Sequence, residues 1–142
     1  MPKIVTVSMP ANVETLVHEG CHFYVHSAFR LFANSARYQD RLFRGLRMSS
    51  ILIEGFAEYF TRQVMRANAA DFGPIAIRAY DEEVNLVSRF VTTLGEAQAR
   101  QAYFDGNAAA LSQLERAIEL SVRAYPLLVP GFMLSAPVTA VP

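Results

Sequence analysis

Hydrophobic and polar positions along the 142-residue chain fall mainly into helical spacings. Ile4, Val5 and Val7 alternate weakly before Pro10, which predicts at most one short N-terminal strand or extended lead-in. From Asn12, a candidate N-cap followed by Glu14 at the positive end of the helix dipole, Leu16, Phe23, Phe29 and Phe32 carry a first helix to about Ala33. Residues 34–48 are polar and predict a connection. Ser49 or Ser50 is positioned to cap a second helix reaching about Asn68, and residues 71–74 (DFGP) form a turn cluster. A third helix is expected over 75–93, ending at Gly95, and a fourth over 96–104, stopped by Asp105-Gly106. Asn107 caps a fifth, with Leu111, Leu114, Ile118 and Val122 on one face. Beyond Pro126 the tail is apolar and proline-rich without periodicity, which suits a segment lying on the core. The pattern predicts one mainly α domain over 1–142, with a helical core at about 12–124 and a tail at 125–142.

Composition narrows the function classes. Apolar residues make up 52% and charged ones 18%, too greasy for a disordered chain, and thirteen basic side chains balance thirteen acidic ones. That neutrality carries no footprint for nucleic acid or an anionic membrane surface. The most apolar stretch, Tyr125 to Leu134, is interrupted by prolines and far shorter than the roughly 20 residues a spanning helix needs. Cys21 is the single cysteine, which excludes an internal disulfide framework and any multi-cysteine zinc site. The N-terminal stretch lacks the apolar core of a signal peptide, so a cytoplasmic protein or a delivered effector is the expectation.

The first helix contains His18-Glu19-Gly20-Cys21-His22. Histidines four apart lie on one helical face about 6 Å apart along the axis, so both imidazoles reach one metal ion. The glutamate between them faces a neighbouring direction, suited to a metal-activated water rather than to the metal. This is the H-E-x-x-H arrangement. A catalytic zinc site needs a third protein ligand and an open fourth position. His26 lies about 12 Å from His18 along a straight helix and fits a partly buried or supporting role better than a ligand's. Cys21 points away from the two-histidine face and reads as a small buried hydrophobe. Glu54, flanked by Ile51, Leu52, Ile53 and Gly55, is an odd carboxylate to place in a core unless its charge neutralises a metal and the glycine lets the two helices approach closely. Glu58, one turn on, is placed to accept the free ring N–H of a ligand histidine. The competing reading makes Glu54 and Glu58 solvated carboxylates pairing with Arg62.

HEGCH followed by EGFAEYF resembles the gluzincins, the HExxH zinc peptidases whose third ligand is a glutamate on the next active-site helix. Residues 54–57 (EGFA) are similar to the corresponding segment of aminopeptidase-N-type enzymes, and Glu58 falls where the thermolysin group carries an acidic residue four positions after the ligand. The resemblance covers about residues 13–65 and implies a zincin-like helical core, with the HExxH helix packed on the glutamate helix. It implies one zinc ion on His18, His22 and Glu54, with Glu19 as general base. Ile53 stands where the family often has asparagine or lysine, the gap from His22 to Glu54 is longer than in the aminopeptidases, and the family's cleft-side sheet is missing. The chain therefore looks like a minimal gluzincin or a catalytic core cut from a longer chain. More weakly, EYFTR and residues 80–84 (YDEEV) look similar to small zincin domains of bacterial toxins and effectors.

The expected activity is hydrolysis of a peptide or protein substrate by a zinc-activated water. Glu19 would move the proton from water to the leaving amine, and Tyr80, expected to open the third helix, is the candidate for steadying the oxyanion. Arg78 is a candidate for a substrate carboxylate. The alternative is a non-catalytic zinc domain, which would close the coordination sphere with a fourth ligand such as Cys21, His26 or a tail residue. A third reading is a metal-free helical interaction protein. Few charges and much apolar surface suggest a domain covered by the rest of a larger chain or by a second copy.

Overall fold

The computed structural model describes residues 13–73 and 79–125, and these are mainly helical. In order they form α1 (Val13–Tyr24), α2 (Ser27–Ala33), α3 (Ala36–Gln39), a hairpin of β1 (Leu42–Phe43) and β2 (Leu46–Arg47), and α4 (Met48–Ser50). A π-helical turn (Ile51–Gly55) runs on into α5 (Phe56–Ala67), followed by α6 (Ala69–Phe72), α7 (Asp81–Leu94), α8 (Glu96–Asp105) and α9 (Ala108–Ala124). The expected N-terminal strand, the Asn12 cap, Arg78 and the apolar tail beyond Tyr125 lie outside the described residues. Among the described residues no helix is long and apolar enough to cross a membrane.

The ends of α7 and α8 and the start of α9 follow the sequence closely. Gly95 and Gly106, both at positive φ, end α7 and α8, and Asn107 caps α9 by accepting the Ala110 N–H at 2.9 Å. The chain up to Asp81 departs from the expectation in four places. The first helix stops at Tyr24, because the His26 N–H bonds to the Tyr103 carbonyl (2.9 Å) instead of continuing the helix, and the His26 ring Nδ1 then caps α2 at Ala28 (3.0 Å). The 34–48 connection holds α3 and a two-residue hairpin. Its turn, Arg44-Gly45, has positive φ at both positions, as a type I′ turn requires. Arg37 and Arg41 tie this segment to Glu115 (2.6 Å) and Glu119 (2.5 Å) on α9. The second helix begins at Met48 with Arg47 in the N-cap position, so Ser49 and Ser50 sit inside its first turn rather than capping it. The third begins at Asp81 rather than near residue 75, since Tyr80 has φ 59° and ψ 33° and cannot belong to a right-handed helix.

The core is aromatic. Phe29 packs on Tyr103 (ring centroids 4.9 Å) and Phe56 (5.4 Å), and Tyr103 also meets Phe60 (5.1 Å). Beneath α1 the Tyr103 hydroxyl donates to the Cys21 carbonyl at 3.1 Å. This cluster binds α2, α5 and α8 together and gives α1 a rigid floor. The close helix approach made by Gly55 is to α7, not to α1 as the sequence suggested: a β-carbon there would lie 2.6 Å from Val87 Cγ2 and 3.0 Å from the Glu83 carbonyl oxygen. Gly55→Ala in an open helix would stabilise by about 1 kcal/mol. Here overpacking reverses the sign, and a loss of about 1–3 kcal/mol is expected in urea unfolding. Val87→Ala should recover part of it; an unchanged or raised midpoint for Gly55→Ala alone would refute the contact.

Candidate metal centre

His18 and His22 project from the same face of α1, with ring centroids 4.7 Å apart, toward the π-helical turn. A π turn carries one more residue per turn than its surroundings and often marks a functional site. Here it lets Ile51, Leu52 and Gly55 stay buried while Glu54 emerges half-buried on the α1 side. One oxygen of Glu54 lies 3.2 Å from His18 Nε2 and 3.1 Å from His22 Nε2, and the two nitrogens are 3.0 Å apart. Three electron-pair donors therefore converge on one point.

That triangle fits a zinc ion. Bonds of about 2.0–2.1 Å to tetrahedral zinc separate the ligand atoms by about 3.3 Å, close to the three edges observed. Two imidazoles and one carboxylate are a donor set that zinc accepts.

Glu58 completes the histidine's surroundings. Its Oε1 lies 2.8 Å from His18 Nδ1, so the ring donates its Nδ1 proton there and turns Nε2 toward Glu54 and His22. The other Glu58 oxygen accepts from Arg62 Nε at 3.2 Å. Glu58 is buried rather than solvated, yet it makes both contacts: it holds the His18 ring and it pairs with Arg62. Glu54 does not share that pairing.

Charge balance follows from these contacts. Burial alone would lower the His18 pKa, but the hydrogen bonds and charges of Glu54 and Glu58 outweigh it and raise it to about 9. Hydrogen bonds from His18 and His22 hold Glu54 down to about 2 against the opposing effect of burial.

A cleft of about 490 Å³ opens over the triangle, bordered by Thr15 and Glu19 of α1, by Arg30, by Ile53 and by Tyr80. Tyr80 stacks nearly parallel on His18 (centroids 5.4 Å, 12° between planes). Burial, then the charges of Glu54, Glu83 and Glu19, push its phenol up, so it remains a hydrogen-bond donor at neutral pH. Glu19 borders the cleft without joining the triangle. Arg30 donates to the His22 carbonyl and so closes the end of α1.

The structure sets two candidates apart from the triangle. Cys21 is buried beside Thr61 (Oγ1 to Sγ 3.8 Å) with its thiol pushed up by burial, as a small core residue should be. His26 is exposed and spends its ring on the α2 cap and on the face of Gly106, so it neither supports nor binds the site. The sequence reading missed what Arg62 does: the only signal was its spacing of four from Glu58 on a helix with a buried apolar face.

The shifts set a pH dependence for the metal-free fold. A raised histidine pKa contributes stability that is whole below about 6.5 and lost as pH rises through about 9. A depressed carboxylate contributes stability that is whole above about 4.5 and lost as pH falls through about 2. In chelator, the melting-temperature advantage of the wild type over Glu54→Gln should therefore be largest near pH 6 and shrink toward pH 10. An advantage that grows with pH would contradict the His18–Glu54 coupling.

Comparison of the chain with protein-family models, with curated proteins and with solved structures gives no match. The functional reading accordingly rests on the donor triangle and its cleft.

Proposed function

We propose that the chain is a zinc-dependent metallopeptidase, a reading carried by the convergence of His18 Nε2, His22 Nε2 and a Glu54 oxygen at 3.0–3.2 Å beneath an open cleft. His18, His22 and Glu54 would hold the ion, with His18 kept in register by Glu58. Zinc in such a site supplies Lewis acidity and an acidified water. Glu19, on the cleft wall one residue after His18, takes the proton released on attack and returns it to the leaving amine. Tyr80, a neutral phenol lying against His18, donates a hydrogen bond to the oxygen that gains charge as the carbonyl becomes tetrahedral. A peptide or protein chain is the substrate this chemistry suits.

The alternative, a structural zinc domain, requires a fourth protein ligand. Among the described residues the metal-ligating group has three members, with Cys21 and His26 engaged elsewhere. Among the described residues the side over the cleft holds no further ligand, which supports catalysis instead.

Purified protein should bind about one zinc ion per chain, the content of a three-ligand catalytic site. Glu19→Gln should keep that metal while cleavage of a peptide library, followed by mass spectrometry, falls by about 10²-fold or more. Cleavage that survives the substitution, or disappears only together with the zinc, would remove Glu19 from the chemistry. Tyr80→Phe should lower kcat about 10²-fold with KM little changed, the signature of a contact made in the transition state. A rise in KM at constant kcat would make Tyr80 a substrate-binding wall instead.

A further inference from the structure

Arg62 is 4% exposed, and a buried guanidinium is costly unless its donors are met. Three acceptors from two different parts of the fold meet those on Nε and Nη2. Nε reaches Glu58 Oε2 (3.2 Å) on its own helix, while Nη2 reaches the Ala79 carbonyl (2.9 Å) and Asp81 Oδ1 (2.7 Å) at the entry to α7. Glu58 is the carboxylate that fixes His18, and Ala79 and Asp81 are the neighbours on either side of Tyr80.

Tyr80 needs such a clamp. At φ 59° it occupies the left-handed region, where an aromatic residue persists only if its surroundings over-determine it. Its ring lies flat on His18, yet it stands just ahead of α7 rather than within it. Arg62 grips the backbone before it and the side chain after it. We propose that Arg62 is a positioning residue that sets two parts of the site together: through Glu58 it fixes the ring of His18, and through Ala79 and Asp81 it holds Tyr80 against that ring. The metal-ligating face and the tyrosine wall of the cleft then assemble as one unit. A lysine would keep the i,i+4 pair with Glu58 on its own helix, but its single ammonium cannot also reach the Ala79 carbonyl and Asp81 at the entry to α7.

The inference rests on the metal reading above only for its zinc arm. The test uses the full chain labelled with ring-¹³C tyrosine, the Tyr80 signals being assigned by their loss in Tyr80→Phe. Zinc affinity is measured separately by competition with a chromophoric chelator, and folding of each variant is checked by circular dichroism. In metal-free Arg62→Lys the Tyr80 ring signals should move most of the way to free-tyrosine positions as stacking on His18 is lost, while zinc affinity stays within about threefold. Arg62→Gln should lose the Tyr80 shift and about tenfold or more in zinc affinity, the scale expected when the partner orienting a ligand histidine is disturbed. A folded variant with Tyr80 at its wild-type position would overturn the proposal and leave Arg62 as a core ion pair. If Arg62→Gln fails to fold, Arg62→Lys decides. Wild-type protein that binds no zinc would overturn the metal reading, and the Tyr80 shift, read without metal, would still decide the role of Arg62.

Discussion

The two nitrogens of one imidazole, each answered by a carboxylate from the same neighbouring helix, are the constraint on which the rest of this structure turns. His18 is nearly buried, and Glu54 and Glu58 reach it from opposite edges. Satisfying both edges fixes the rotation of α1 about its axis, the spacing between α1 and α5, and the side of α5 that faces inward. His22 then falls one turn along on the same face, and Glu19 is left at the cleft. A histidine with only one partner would leave that rotation free.

The supporting structure makes the constraint affordable. Glu58 carries a second obligation to Arg62, so its charge is balanced in a place where few water molecules reach. The aromatic floor of Phe29, Phe56, Phe60 and Tyr103 holds α1 from below by apolar packing and by the Tyr103 hydroxyl on the Cys21 carbonyl. Apolar contact sets where the helices sit, and the polar network sets how they are turned. The few charged side chains of this greasy chain are thus partly spent in its interior.

The helical class and the C-terminal helices were legible because their signals are local: Gly95, Gly106 and Asn107 act within a few residues of themselves. The grouping of His18, His22, Glu54 and Glu58 was legible for a different reason. Spacing on a helix fixes direction, and a carboxylate beside apolar neighbours needs a partner. What escaped depends on distant chain. The break at His26 comes from a carbonyl of α8, the hairpin at Arg44-Gly45 is held by arginines reaching α9, and the late start of α7 belongs to Tyr80 in a conformation that no periodicity announces. Arg62 was visible as a neighbour of Glu58, but its grip on Ala79 and Asp81 spans a loop whose path the sequence does not state.

The π turn at Ile51–Gly55 has a consequence for how such a helix can change by insertion or deletion. It amounts to one surplus residue in an otherwise regular helix. Deleting one residue there would let the stretch close as plain α-helix with both flanks near their present facing. An insertion absorbed as a π turn thus leaves the buried face of Leu52, Phe56 and Phe60 in place, and the change falls on the residues within the turn, Glu54 among them.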